Sequence, residues 1–101
     1  MAFVETDIQD QIMIIKLNRP DRLNALSEVI REGMSEAFTK FEKDSNLEEA
    51  ILTGEGRGFC AGEDMKESLE LGDVGSRSGK VFRDPFMERT SEKPVIGAIN
   101  G

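Results

Sequence analysis

A chain of 101 residues weighing 11.2 kDa has room for one domain with a modest core. Its 13 basic and 20 acidic residues leave a formal charge of −7 and a pI near 4.6, which disfavours general affinity for nucleic acid or acidic membranes. Histidine is absent and Cys60 is the single cysteine, so Ser-His-Asp and Cys-His catalysis, mixed Cys/His zinc sites and an internal disulfide are all excluded.

The N-terminal residues, Met1 to Asp7, carry neither a basic cluster nor a long apolar run, so no secretory signal is expected. No stretch approaches the roughly 20 apolar residues of a membrane span. With the lone thiol, these features lead us to expect a reducing, cytoplasmic setting. Ile12 to Leu17 is a short β-branched run closed by Asn18-Arg19-Pro20-Asp21, the pattern of a strand entering a turn. Phe3-Val4 and Ile8 suit a partner strand, with Gln9-Asp10-Gln11 as the connection.

From Ser27 the apolar period changes. Ile30, Met34, Ala37, Phe38 and Phe41 share one helical face, with acids early and lysines late, as the helix dipole prefers. Ser27 is the expected N-cap and Asp44-Ser45-Asn46 the exit. Gly33 inside that helix costs up to about 1 kcal/mol unless another backbone packs closely there. Ala50 to Thr53 then predicts a strand buried on both faces, because it lacks alternation. Gly54-Glu55-Gly56-Arg57-Gly58 predicts a loop, and a second helix is expected from Asp64 to Gly72. Gly72 to Lys80 predicts a surface loop, and Asp84-Pro85 the cap and first turn of a short helix. Pro94 to Ile99 predicts another fully buried strand. The order is that of an α/β fold.

Two nucleotide-binding patterns fail on spacing. Gly75, Gly79 and Lys80 have three residues between the glycines where a phosphate-binding loop needs four, and Val81 follows the lysine. The glycines at 54, 56 and 58 lack the third position of a dinucleotide fingerprint, which is Phe59. Asp64, Glu67 and Glu70 read better as a solvated helix face than as a metal or glycosidase site. Cys60 has no base to activate it and reads as a packing residue.

Gly58-Phe59-Cys60-Ala61-Gly62-Glu63-Asp64-Met65-Lys66 joins a predicted strand to a predicted helix, with small residues at the turn. Such a junction can aim backbone N–H groups at an anion or a polarised carbonyl. It can equally be an ordinary loop whose glycines relieve crowding.

This segment resembles the signature of the crotonase superfamily, the enoyl-CoA hydratase/isomerase family. Leu17 to Ser27 is similar to that family's turn into its first long helix, and Lys93 to Gly101 to one of its strands. The resemblance implies the N-terminal portion of a crotonase-type ββα spiral, residues 1–101 being part of one acyl-CoA-binding domain in a longer protein. It also implies an acyl-CoA thioester substrate, coenzyme A entering as part of that substrate and not as a separate cofactor. Assembly as trimers or pairs of trimers is implied in the same way. The thioester carbonyl is polarised in this family by two backbone donors, and the position of one is Glu63. Ala61, Gly62, Glu63, Asp64, Met65 and Lys66 are similar to the stretch lining the CoA moiety, and Leu23-Asn24-Ala25, with Arg22 beside it, to the facing wall. Arg19, Arg22 and Lys66 are candidate partners for CoA phosphates. The second donor and the acid/base carboxylates belong to positions past residue 101, and many relatives carry a smaller residue where this chain has Glu63. A non-catalytic crotonase-like fragment and an unrelated small α/β binding module remain alternatives at the level of sequence.

Overall fold

The computed structural model describes residues 3–62 and 91–101. Strands β1 (Val4–Gln9) and β2 (Ile12–Leu17) form an antiparallel hairpin. Its tight turn places Asp10 in the left-handed region at φ 55°, a conformation that Asp tolerates better than most residues. A single 3-10 turn at Pro20–Arg22 follows, and then helix α1 (Glu28–Lys43). Strand β3 (Glu49–Gly54) pairs parallel to β2, and β4 (Val95–Gly97) parallel to β3, giving the sheet order β1-β2-β3-β4.

Helix α1 begins where the sequence predicts. The Ser27 hydroxyl accepts a hydrogen bond from the Ile30 N–H at 3.3 Å, satisfying one of the orphan donors of the first turn. Ile30, Met34, Ala37, Phe38 and Phe41 are buried. They pack on Met13, Ile15 and Leu17 of β2 and on Ala50 and Leu52 of β3, with Leu47 closing the cluster. Burial of a large apolar side chain is worth about 1.5–3 kcal/mol, so this face dominates what holds the helix to the sheet.

Two expectations about burial are corrected. Strand β3 is not buried on both faces: Ala50 and Leu52 are buried, whereas Ile51 and Thr53 are half-buried. Strand β4 is shorter than Pro94 to Ile99 and is exposed along its length. The physical reason is where α1 lies, against β1 and β2, so that among the described residues no helix covers β4. Absence of alternation reported apolar content there and not two covering layers. The helices expected from Asp64 and at Asp84-Pro85, and the loop from Gly72 to Lys80, lie outside the described residues.

Candidate functional site

Strands β2, β3 and β4 run parallel, so their carboxyl ends share one edge of the sheet. The loops leaving them converge at that edge, where open α/β sheets place their ligands. The loop after β2 turns sharply. Leu23 and Asn24 both adopt left-handed backbone angles, φ 51° and 54°. Asparagine tolerates this, whereas a leucine there costs about 1–2 kcal/mol.

The Asn24 side chain offsets that strain. It is fully buried. Its Oδ1 accepts from the Arg19 N–H at 2.7 Å. Its Nδ2 lies 3.0, 3.0 and 3.1 Å from the carbonyls of Glu55, Gly58 and Phe59, its two hydrogens being shared among the three. The loop after β3 is thereby tied to the loop after β2. Gly54 must be glycine for this approach, because a Cβ there would collide with the Phe59 carbonyl oxygen and lie 2.8 Å from Asn24 Nδ2. From the other flank Asn100 Oδ1 accepts from the Gly54 N–H at 3.1 Å, and Asn100 Nδ2 donates to the Gly56 carbonyl at 3.0 Å.

Two backbone rungs complete the junction. The Ala61 N–H donates to the Leu23 carbonyl at 2.9 Å, and the Leu26 N–H to the Gly62 carbonyl at 2.6 Å. Leu23, Ala61 and Gly62 are thus brought together. Gly62 has φ 98°, and among the described residues nothing lies within 4 Å of where its Cβ would project. Ala25 is buried, with its N–H bonded to the Arg22 carbonyl and its own carbonyl to the Ser27 N–H, so it stands behind that surface. Arg22 is half-buried in the 3-10 turn, and the Arg19 guanidinium lies over the Phe3 ring, 4.7 Å from its centre. Cys60 is half-buried and packs against the core. Glu63, Asp64, Met65 and Lys66 lie outside the described residues.

Beside the loop, Lys16 Nζ and Glu55 Oε1 form an ion pair at 3.0 Å. The hydrogen bond and charge of Glu55 raise the Lys16 ammonium above its ordinary 10.5. The hydrogen bond and charge of Lys16 hold the Glu55 carboxyl below 4.5, with help from the Gly56 N–H. Both groups are in water, so the pair contributes little. That contribution falls away in acid as Glu55 protonates and in strong base as Lys16 loses its proton. Among the described residues no group of three or more Cys, Asp or Glu is arranged to hold a metal ion, and no helix is long and apolar enough to cross a membrane.

Sequence reasoning placed Asn24 in the wall segment without the role its side chain plays, and missed Asn100 as part of the site. Asn100 stood only within the Lys93 to Gly101 motif. A buried asparagine has no periodic signature, and the three carbonyls that Asn24 Nδ2 reaches lie more than thirty residues away along the chain.

The enoyl-CoA hydratase/isomerase family profile matches residues 7–101. The chain is 34% identical over 108 residues to the 1,2-epoxyphenylacetyl-CoA isomerase of Escherichia coli K12, aligning all of this chain with 41% of that protein. It is 40% identical over 94 residues to a probable peroxisomal enoyl-CoA hydratase of Arabidopsis thaliana, covering 89% of this chain and 34% of that one. Among solved structures, an enoyl-CoA hydratase from Mycobacterium tuberculosis H37Rv superposes with a TM-score of 0.83 at 36% identity, over 100% of this chain and 39% of that one. A probable enoyl-CoA hydratase/isomerase from Mycobacterium abscessus gives 0.84 at 30% identity, over 100% and 38%. The chain therefore spans about two fifths of the length of these relatives.

Proposed function

Since the chain belongs to the enoyl-CoA hydratase/isomerase family and forms the N-terminal portion of its fold, we propose that it supplies one wall of an acyl-CoA site and one oxyanion donor, the backbone N–H of Glu63. The observation that carries this reading is the pair of rungs between Leu23–Leu26 and Ala61–Gly62. A peptide is planar and trans, so its N–H points opposite to its carbonyl. The Gly62 carbonyl is spent on Leu26, and in this reading the N–H of that same peptide is the group offered to a thioester oxygen. A donor fixed before substrate arrives stabilises the developing enolate without reorganisation, which is the source of its catalytic value. The residues proposed to line the CoA moiety are Ala61, Gly62, Asp64, Met65 and Lys66, with Arg22 and Leu23 opposite.

The test is binding of crotonyl-CoA carrying 13C at its thioester carbonyl. Hydrogen bonding to the carbonyl moves its resonance on binding. Glu63→Ala is expected to preserve the shift and keep affinity within about tenfold, because the backbone donor remains. Glu63→Pro removes the N–H and is expected to abolish the shift, in a variant whose circular dichroism remains native. In a turnover assay of a longer protein that contains this segment, loss of one such donor is expected to cost about 10²- to 10³-fold. A shift that survives proline and vanishes with alanine would make the side chain the working group and overturn the reading. No hydration is expected from residues 1–101 alone, since losing acid/base groups costs about 10²- to 10⁴-fold.

A further inference from the structure

We propose that Asn24 and Asn100 are positioning residues that grip the Gly54–Phe59 loop from its two flanks and thereby set the backbone of Ala61 and Gly62. The proposal rests on the acyl-CoA reading for its consequence but not for its geometry.

The two carboxamides divide the loop between them. Asn24 takes the carbonyls of Glu55, Gly58 and Phe59. Asn100 takes the Gly54 N–H and the Gly56 carbonyl, with its Oδ1 also 3.4 Å from the Thr53 hydroxyl. Each clamp needs a donor and an acceptor on one short planar group, and the carboxamide of asparagine has both. An aspartate of the same shape would present oxygens to the three carbonyls around Asn24, replacing attraction with repulsion.

The backbone around Asn24 supports a role beyond packing. Leu23 and Asn24 hold consecutive left-handed angles, a costly arrangement that persists only where surrounding contacts over-determine it. What the turn achieves is the placement of two peptide groups, the Leu23 carbonyl and the Leu26 N–H, opposite Ala61 and Gly62. Asn24 also bonds Arg19 twice, Oδ1 to its N–H and its own N–H to its carbonyl at 3.0 Å, closing the turn on itself. The same side chain therefore shapes one wall and tethers the other. On the far flank the Thr53 hydroxyl donates to the Ala98 carbonyl at 2.8 Å, which keeps the segment carrying Asn100 against β3.

The test is residue-resolved amide exchange and ligand titration on the chain and on Asn24→Asp and Asn100→Asp. Exchange at the Ala61 and Leu26 amides is referenced to amides in the β1–β2 hairpin, so a global loss of stability cancels. For Asn24→Asp we expect both amides to exchange at least tenfold faster relative to the hairpin. Bound crotonyl-CoA should show a 13C carbonyl shift reduced toward the free value. Asn100→Asp keeps the acceptor and loses the donor to Gly56, and should speed Ala61 about threefold or more. A folded Asn24→Asp whose relative exchange is unchanged at both amides would overturn the proposal. If Asn24→Asp does not fold, unchanged exchange at Ala61 in Asn100→Asp would overturn it equally. Should crotonyl-CoA fail to bind the unsubstituted chain while the exchange responses appear, the acyl-CoA reading falls and the clamp stands.

Discussion

Gly33 lies mid-helix, where glycine is about 1 kcal/mol worse than alanine. The sequence suggests that a close backbone must excuse it. The structure supplies a side chain instead: a Cβ at Gly33 would sit 2.8 Å from Val4 Cγ2 and 3.0 Å from Val4 Cβ. Valine is stiff and anchored in β1, so it cannot swing away as a long side chain would. Gly33→Ala is therefore expected to lower stability by about 1–2 kcal/mol, overpacking outweighing the gain in helix propensity. In a Val4→Gly background, which removes both the Val4 Cγ2 and Cβ, the same substitution should stabilise by up to about 1 kcal/mol. Urea midpoints of the four proteins check this, and a Gly33→Ala that stabilises the native background would contradict it. That a contact was needed at Gly33 was legible in the sequence. That it comes from Val4, at the opposite end of the fold's first crossing, was not.

At the scale of elements, the two ends of α1 contrast. The Ser27 cap and the buried stripe from Ile30 to Phe41 are written in local spacing and hold in the structure. The far end depends on Lys93, whose ammonium donates to the carbonyls of Phe41 and Asp44 at 2.7 and 2.8 Å and lies 5.0 Å from the centre of the Phe41 ring. A cation there satisfies last-turn carbonyls and complements the negative end of the helix dipole. It also ties the approach to β4 onto the end of α1, across about fifty residues of chain. Lys93→Met keeps most of the apolar stem and loses the charge. We expect it to cost about 1–2 kcal/mol and to raise amide exchange in the last turn of α1 more than in its first. Equal effects at both ends would refute a capping role. Sequence reasoning passed over this lysine because a distant cap leaves no local pattern.

At the scale of the whole molecule, the sheet carries a row of isoleucines, Ile14, Ile51 and Ile96, paired across β2, β3 and β4. Ile96 is 49% exposed, and Ile99 beyond it 74%. An apolar edge strand of this kind is a template for pairing with another chain. Sedimentation of the isolated 101 residues is therefore expected to show concentration-dependent association, relieved by Ile96→Lys. A monomer at all concentrations, with a cooperative and reversible melt, would count against it. The sequence by itself determined the hairpin, the cap and buried face of α1, and the three motif segments that carry the family resemblance, because these rest on neighbours within a few turns or strand positions. Only the tertiary structure decided which face of β3 is buried, that β4 is exposed, and that Asn24 and Asn100 hold one loop between them. Those outcomes depend on where α1 settles on the sheet and on hydrogen bonds spanning thirty or more residues, which no local pattern of residues encodes.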